Sequence, residues 1–227
     1  MKEKVVVLWS GGKDSALALY EIMKSNSFEV AALLTTMTND YDRISIHGVR
    51  RVLLERQAEA LGFPLEEMFI VKGASDVDYE RELLKLLTEQ RAKGVVAVVC
   101  GDIFLEDVRK YRERLLDKAR LKGVFPLWNR NTAELARGFL KLGFKAVVTV
   151  VDGNVLSKEF AGRDYDEGFL SDLPANVDPC GENGEFHSFV YDGPIFREKI
   201  AFKKGEVVLR ENRFYYCDLL LAVEHEK

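Results

Sequence analysis

The stretch Val5-Val6-Val7-Leu8-Trp9-Ser10-Gly11-Gly12-Lys13-Asp14-Ser15 constrains the fold of this chain more than any other. Val5 to Trp9 are apolar and read as a buried strand, Ser10 to Ser15 as a glycine turn, and Ala16 to Met23 as a helix. In that order, the first helical N–H groups have no intrahelical acceptor, and the helix dipole favours negative charge in front of them. Gly11 and Gly12 let the backbone approach an anion closely. Lys13 adds a full positive charge, and Ser10 and Ser15 add hydroxyl donors. The stretch therefore reads as a seat for a phosphate chain. An ordinary strand-to-helix turn would not explain Lys-Asp-Ser after Gly-Gly.

The pattern repeats downstream. Strands are expected over Phe28 to Thr36, Leu65 to Val71, Val95 to Cys100 and Val124 to Trp128, with helices from His47-Gly48 to Gly62, over 77 to 92 and from Glu106 to Leu121. Five strands alternating with four helices predict a parallel five-stranded sheet with helices on both faces. The unalternating apolar strands agree, since both sheet faces would be covered. Ligands of such sheets bind beyond the strand C-termini near the switch point, where Ser10 to Ser15, Thr35 and Gly101-Asp102 can converge.

From Asn131 the pattern changes to a helix ending at Gly143, a strand over Phe144 to Val151, a short helix near Asp164 to Leu173, and strands at Phe186 to Tyr191, Lys199 to Phe202, Val207 to Arg210 and Tyr215 to Glu224. This predicts two domains, 1–130 and a smaller mixed α+β domain over 131–227. With 227 residues, 47% hydrophobic and 31% charged, the chain can bury a sizeable core. A net charge of −4 without a long basic run argues against nucleic acid as a partner. Cys100, Cys180 and Cys217 are odd in number and scattered, and read as packing residues in a reducing compartment. The chain opens directly on the first strand, without a signal-peptide pattern or a membrane-length apolar run, so a cytoplasmic protein with no membrane partner is expected.

Ser10 to Ser15 does not fit the Gly-x-x-x-x-Gly-Lys pattern of a Walker A loop. It resembles the SGGxDS signature of the PP-loop (N-type) ATP pyrophosphatases. The resemblance implies a Rossmann-like adenine nucleotide alpha hydrolase fold, ATP as the nucleotide, and cleavage at the α-phosphorus so that pyrophosphate leaves. Mg²⁺ is implied by the ATP chemistry, riding on the phosphates without a dedicated protein cluster.

A second signature lies at Cys180-Gly181-Glu182-Asn183-Gly184-Glu185-Phe186-His187, followed by Asp192-Gly193-Pro194-Ile195-Phe196. Its glycines permit a sharp turn that would leave Glu182 and Glu185 free to point at a ligand; a turn with solvated acids is the alternative. Together with Ser10 to Ser15, this motif is similar to the diphthine–ammonia ligase family of PP-loop enzymes over nearly the whole chain. That likeness implies activation of a carboxylate, small-molecule or protein-borne, as an acyl-adenylate, with ammonia or an amine displacing AMP. Two departures stand out: His187 replaces an expected glutamate, and Ile46-His47-Gly48-Val49-Arg50 replaces a Tyr-x-x-His-Thr type of sequence. The Asn-Gly-Glu-Phe-His variant resembles a bacterial branch of the family, implying another carboxylate, cobalamin-related.

Roles follow from both readings. Ser10, Gly11, Gly12, Lys13 and Ser15 would neutralise the leaving pyrophosphate. Asp14 fits Mg²⁺ positioning or helix capping equally well. His47 is a candidate α-phosphate contact, and Thr35, Gly101 and Asp102 would back the nucleotide. Glu182, Asn183, Gly184 and Glu185 would meet the substrate, with His187 as base or ligand. Arg112 resembles the family's arginine near the substrate carboxylate. A symmetric homodimer is the default assembly. The competing classes are a PP-loop tRNA-modifying enzyme and a non-catalytic nucleotide-binding domain.

Overall fold

The structure is a computed structural model that describes residues 2–38, 43–44, 48–71 and 73–222. The chain divides into two compact units, residues 1–10, 14–45 and 63–130 in the first and 11–13, 46–62 and 131–227 in the second.

The first unit is built on a six-stranded sheet. Its strands are β1 (Glu3–Leu8), β2 (Phe28–Thr38), β3 (Arg43–Ile44), β4 (Leu65–Ile70), β5 (Ala97–Val99) and β6 (Lys122–Val124). The parallel strands lie in the order β4-β2-β1-β5-β6, and the two-residue β3 runs antiparallel along the far end of β2. The helices are α1 (Lys13–Ser25), which begins in residue 13 of the second unit, α3 (Asp76–Ala92) and α4 (Glu106–Lys118). The right-handed rule for crossovers between parallel strands predicts α1 on one face, and α3 and α4 on the other. On the second of these faces Val6, Leu34, Met68 and Val98 pack against Leu83, Leu87, Leu115 and Leu116. The alternate strand residues Val5, Val7, Leu33 and Val99 are equally buried, so both faces are covered as the unalternating sequence requires. The Rossmann-like fold class expected from the sequence is therefore present, with β3 as an antiparallel addition. Leading away from β1 in opposite directions, β2 and β5 make its C-terminal end the switch point of the sheet.

The second unit holds an antiparallel sheet of β7 (Lys145–Asp152), β8 (Phe186–Asp192), β9 (Phe202–Arg210) and β10 (Phe214–Leu221), in the order β8-β7-β10-β9. In place of the two short strands expected over 199–202 and 207–210 there is a single strand, β9, which begins only at Phe202, so residues 199–201 are not strand. Around the sheet lie α5 (Thr132–Lys141), capped by the Asn131 side chain, and α6 (Glu167–Asp172). Its core is aromatic: Phe139 stacks on Phe144 at 4.8 Å, Tyr165 meets Phe169 at 5.3 Å, and Phe169 meets Phe186 edge-on at 5.1 Å.

Helix α2 (Arg51–Leu61) belongs to this second unit rather than to the first 130 residues as a block. The reason is polar. Arg50 grips Asp218 of β10 with two hydrogen bonds of 3.1 and 2.6 Å, and the Arg197 N–H donates to the Ala60 carbonyl at 2.8 Å. Periodicity shows which face of α2 is buried, not which sheet buries it. On this helix Val52 is exposed, while Leu54 and Gln57 are buried.

The Asp152 carboxylate at the end of β7 receives Arg213 Nε at 3.1 Å, Arg213 Nη2 at 2.5 Å and the Asn154 N–H at 3.0 Å. The guanidinium above all holds its pKa below the ordinary aspartate value. A depressed native pKa gives stability that is fully present above the unfolded value of roughly 3.9 and lost as pH falls through the native one. With Arg213 half exposed, Asp152→Asn is expected to cost about 1 kcal/mol at pH 7. Melting curves of both proteins across pH 7 to 3 check this: the gap should close below about pH 4.

Candidate functional site

In the first unit, three chain segments leave the C-terminal ends of β1, β2 and β5. Ser10 Oγ donates to Ser15 Oγ at 3.3 Å, so the two hydroxyls meet at the start of α1. Asp14 is half-buried in the first turn, where its charge suits the helix dipole. Gly101 packs directly on this turn: a Cβ there would lie 3.0 Å from the Asp14 carbonyl carbon and 3.1 Å from the Ser15 nitrogen. A side chain there would push the end of β5 and the start of α1 apart by a few tenths of an ångström. Thr35 is 3% exposed, and its hydroxyl has no hydrogen-bond partner.

Asp102 does not stand open after Gly101. Its Oδ1 accepts a hydrogen bond from Arg112 Nε at 2.9 Å, and Oδ2 lies 2.8 Å from the same nitrogen as an ion-pair contact, buried and without a hydrogen bond of its own. Burial works against the Arg112 charge, but the Asp102 carboxylate more than offsets it and raises the pKa above the ordinary arginine value. Arg112, expected at a substrate carboxylate, thus has an internal carboxylate instead. Nearby Cys100 is fully buried, and burial pushes its thiol up to about 12, so it stays a neutral packing group.

In the second unit, Gly11 to Lys13 lie along β8. The Val190 N–H donates to the Gly11 carbonyl at 2.9 Å, and the Lys13 N–H donates to Ser188 Oγ at 3.2 Å. Gln57 of α2 donates to both the Gly11 carbonyl, at 2.9 Å, and the Val190 carbonyl, at 2.6 Å. β8 is an edge strand of its sheet, and these contacts occupy backbone groups an edge would otherwise expose. The Lys13 ammonium is buried, donates to the Cys180 carbonyl and lies 5.4 Å from the Phe186 ring centroid. The sequence placed this charge toward phosphate; the structure ties it to the turn that opens the second signature.

That turn is held from inside. Asp178 Oδ2 accepts the N–H groups of Cys180 at 3.1 Å and Glu182 at 3.0 Å. Glu185 is buried and accepts the Asp178 N–H at 3.1 Å, the Asn183 N–H at 3.0 Å and Asn183 Nδ2 at 2.9 Å. The expectation that both acids stand free therefore fails for Glu185, whose oxygens close the turn. Glu182 and Gly184 are half-buried and Asn183 is exposed. Gly181 has φ +66°, and a Cβ there would meet the Phe186 carbonyl oxygen at 2.8 Å. His187 is half-buried on β8, pairs with Val150 and points away from the Phe186 face. His47 lies outside the described residues.

Sequence reasoning missed Gln57, Ser188 and Asp178. A glutamine in an otherwise apolar helical face was the available signal for Gln57; nothing marked the other two. Among the described residues, no group of three or more His, Cys, Asp or Glu is placed to hold a metal, and no helix is long and apolar enough to cross a membrane.

Two family models match the chain: the diphthamide synthase N-terminal domain over residues 3–123 and the diphthamide synthase C-terminal domain over residues 131–222. The chain belongs to the diphthamide synthase family. Among its relatives is the diphthine–ammonia ligase of Homo sapiens, 26% identical over 231 residues, covering 91% of this chain and 85% of that one. The Schizosaccharomyces pombe enzyme of the same name is 27% identical over 90% of this chain, but the match spans only 37% of its own length. Among solved structures, the U34-tRNA thiolase NcsA from Methanococcus maripaludis with its [4Fe-4S] cluster aligns with a TM-score of 0.38 at 18% identity, covering 63% of this chain and 58% of that one.

Proposed function

We propose that this chain adenylates a carboxylate with ATP and passes the acyl group to ammonia or an amine. Membership of the diphthamide synthase family makes it an ATP-dependent carbon–nitrogen ligase related to the diphthine–ammonia ligases. The observation that carries the reading is the complete Ser10 to Ser15 loop at the switch point of the sheet, opening α1. The substrate carboxylate oxygen attacks the α-phosphorus, the bond to pyrophosphate breaks, and ammonia then displaces AMP from the acyl carbon, leaving an amide and a proton.

A phosphate chain suits the hydroxyls of Ser10 and Ser15, the glycine backbone and the α1 N-terminus. Lys13 would supply charge to the leaving pyrophosphate, which requires its ammonium to exchange the Cys180 carbonyl for phosphate oxygens. The buried Thr35 hydroxyl, without a partner, and the close-packed Gly101 fit the adenosine side. Mg²⁺ would enter on the nucleotide, held mainly by phosphates and water, with Asp14 as its protein-side partner. Glu182, Asn183 and Gly184 present the turn to substrate, and His187 is the candidate base for the incoming amine. We assign the substrate to a carboxylate other than diphthine, because Asn183 and His187 depart from the pattern of diphthamide-making enzymes; a cobalamin-related acid is the first to test. A cytoplasmic homodimer is the working assembly.

The test is incubation with ATP, Mg²⁺, ammonium and a panel of carboxylates that includes diphthine-bearing protein and corrinoid acids. AMP, pyrophosphate and amide should form in equal amounts, and Lys13→Ala should reduce their formation by at least about a hundredfold. Release of ADP and phosphate would sink the adenylation reading.

A further inference from the structure

We infer that Gln57 is a positioning residue for the phosphate loop: its side-chain amide sets the direction of the Gly11–Gly12 peptide. This deepens the nucleotide reading above and rests on it. Gln57 is 0% exposed on α2, where its buried neighbours along the helix are Leu53, Leu54, Ala58 and Leu61. A residue that only filled space there would be apolar like them. Instead its Nε2 spends hydrogen bonds on two backbone carbonyls, Gly11 at 2.9 Å and Val190 at 2.6 Å. The Gly11 carbonyl also accepts the Val190 N–H at 2.9 Å, so that oxygen is held by two donors at once.

The consequence follows from peptide planarity. In a trans peptide the N–H points opposite to the C=O. With the Gly11 oxygen drawn toward β8 and α2, the Gly12 N–H is aimed the other way. A Gly-Gly peptide is the easiest kind to flip, because neither residue has a Cβ to resist. A flipped peptide would offer phosphate a carbonyl oxygen instead of an N–H. Gln57 opposes the flip by its hydrogen bond, and its Oε1 takes the space a side chain at position 11 would need, 2.7 Å from where a Cβ would stand. Gly11 itself sits at φ +75°, a conformation suited to glycine.

The experiment compares wild type, Gln57→Leu and the packing control Leu53→Ala by titration calorimetry, with Mg²⁺–ATP, inorganic pyrophosphate and adenosine as probes. Gln57→Leu should bind ATP and pyrophosphate about tenfold or more weakly and keep its adenosine affinity, the size expected for one lost backbone-orienting bond. Leu53→Ala should lower the melting temperature without changing the ratio of pyrophosphate to adenosine affinity, which separates loop positioning from general loosening. Gln57→Met, close in volume, is read the same way if Gln57→Leu does not fold. Wild-type pyrophosphate affinity in a folded Gln57 variant would overturn this inference alone. A wild-type chain that binds neither ATP nor pyrophosphate would overturn the nucleotide reading and this inference with it.

Discussion

Glu185→Gln is expected to destabilise the second unit by about 2–4 kcal/mol and to remove carboxylate-dependent AMP formation with it. The carboxylate accepts on both oxygens, Oε1 from the Asp178 N–H and Asn183 Nδ2, and Oε2 from the Asn183 N–H. A glutamine amide has one acceptor oxygen. Placed either way round, its NH₂ faces an N–H, so at least one part-buried donor is left unpaired. Each such orphan costs about 1–3 kcal/mol, and the remaining bonds lose their charge assistance. Calorimetry should show the unfolding transition of this unit lowered by roughly 5–10 °C.

The same pair of measurements decides what Glu185 does. If it builds the turn, Asp178→Ala should behave like Glu185→Gln, because Asp178 Oδ2 holds the N–H groups of Cys180 and Glu182 in the same segment and alanine leaves both without that acceptor. Melting temperature and turnover would then fall together. A Glu185→Gln protein that melts as wild type but forms no AMP would return Glu185 to the chemistry. The link from turn to loop is short: the Cys180 carbonyl, positioned by this turn, is an acceptor of the Lys13 ammonium.

The first signature was legible in sequence because its chemistry is local. A strand, two glycines and a helix dictate their own geometry within fifteen residues, and Gly101 follows from parallel-sheet topology. The second signature was legible as a turn and misread as to which acid is free. Sequence spacing gives the path of a turn, but whether an acid faces solvent or its own backbone N–H groups depends on where the turn closes, and Glu185 closes it. The allegiance of α2 was illegible for a related reason. Its apolar stripe would suit either sheet, and the decision rests on polar contacts more than a hundred residues away, Arg50 with Asp218 and Gln57 with Val190. β9 was cut in two on paper because Gly205 weakens the strand pattern, while its pairing with β10 carries it across.

Asp102→Asn is the substitution expected to hurt the first unit most, by about 2–3 kcal/mol. Asp102 is 9% exposed and Arg112 30%, so the pair is largely but not fully withdrawn from water. Removing one member of a buried pair typically costs about 3–5 kcal/mol, because the other charge is left without its counterion; the partial exposure of Arg112 trims that. Cys100 is adjacent, but burial holds its thiol pKa near 12, so it cannot ionise to compensate at working pH. The double variant Asp102→Leu/Arg112→Met should regain most of the stability, since a pair of apolar groups of similar size carries no desolvation cost. The coupling energy from the cycle should exceed about 1 kcal/mol. Turnover then separates the two roles of Arg112. If the double variant recovers both its melting temperature and AMP formation, the arginine serves the fold. If it recovers the first without the second, Arg112 meets the substrate carboxylate after exchanging Asp102 for it, the exchange that a bidentate guanidinium performs at little cost because one carboxylate replaces another.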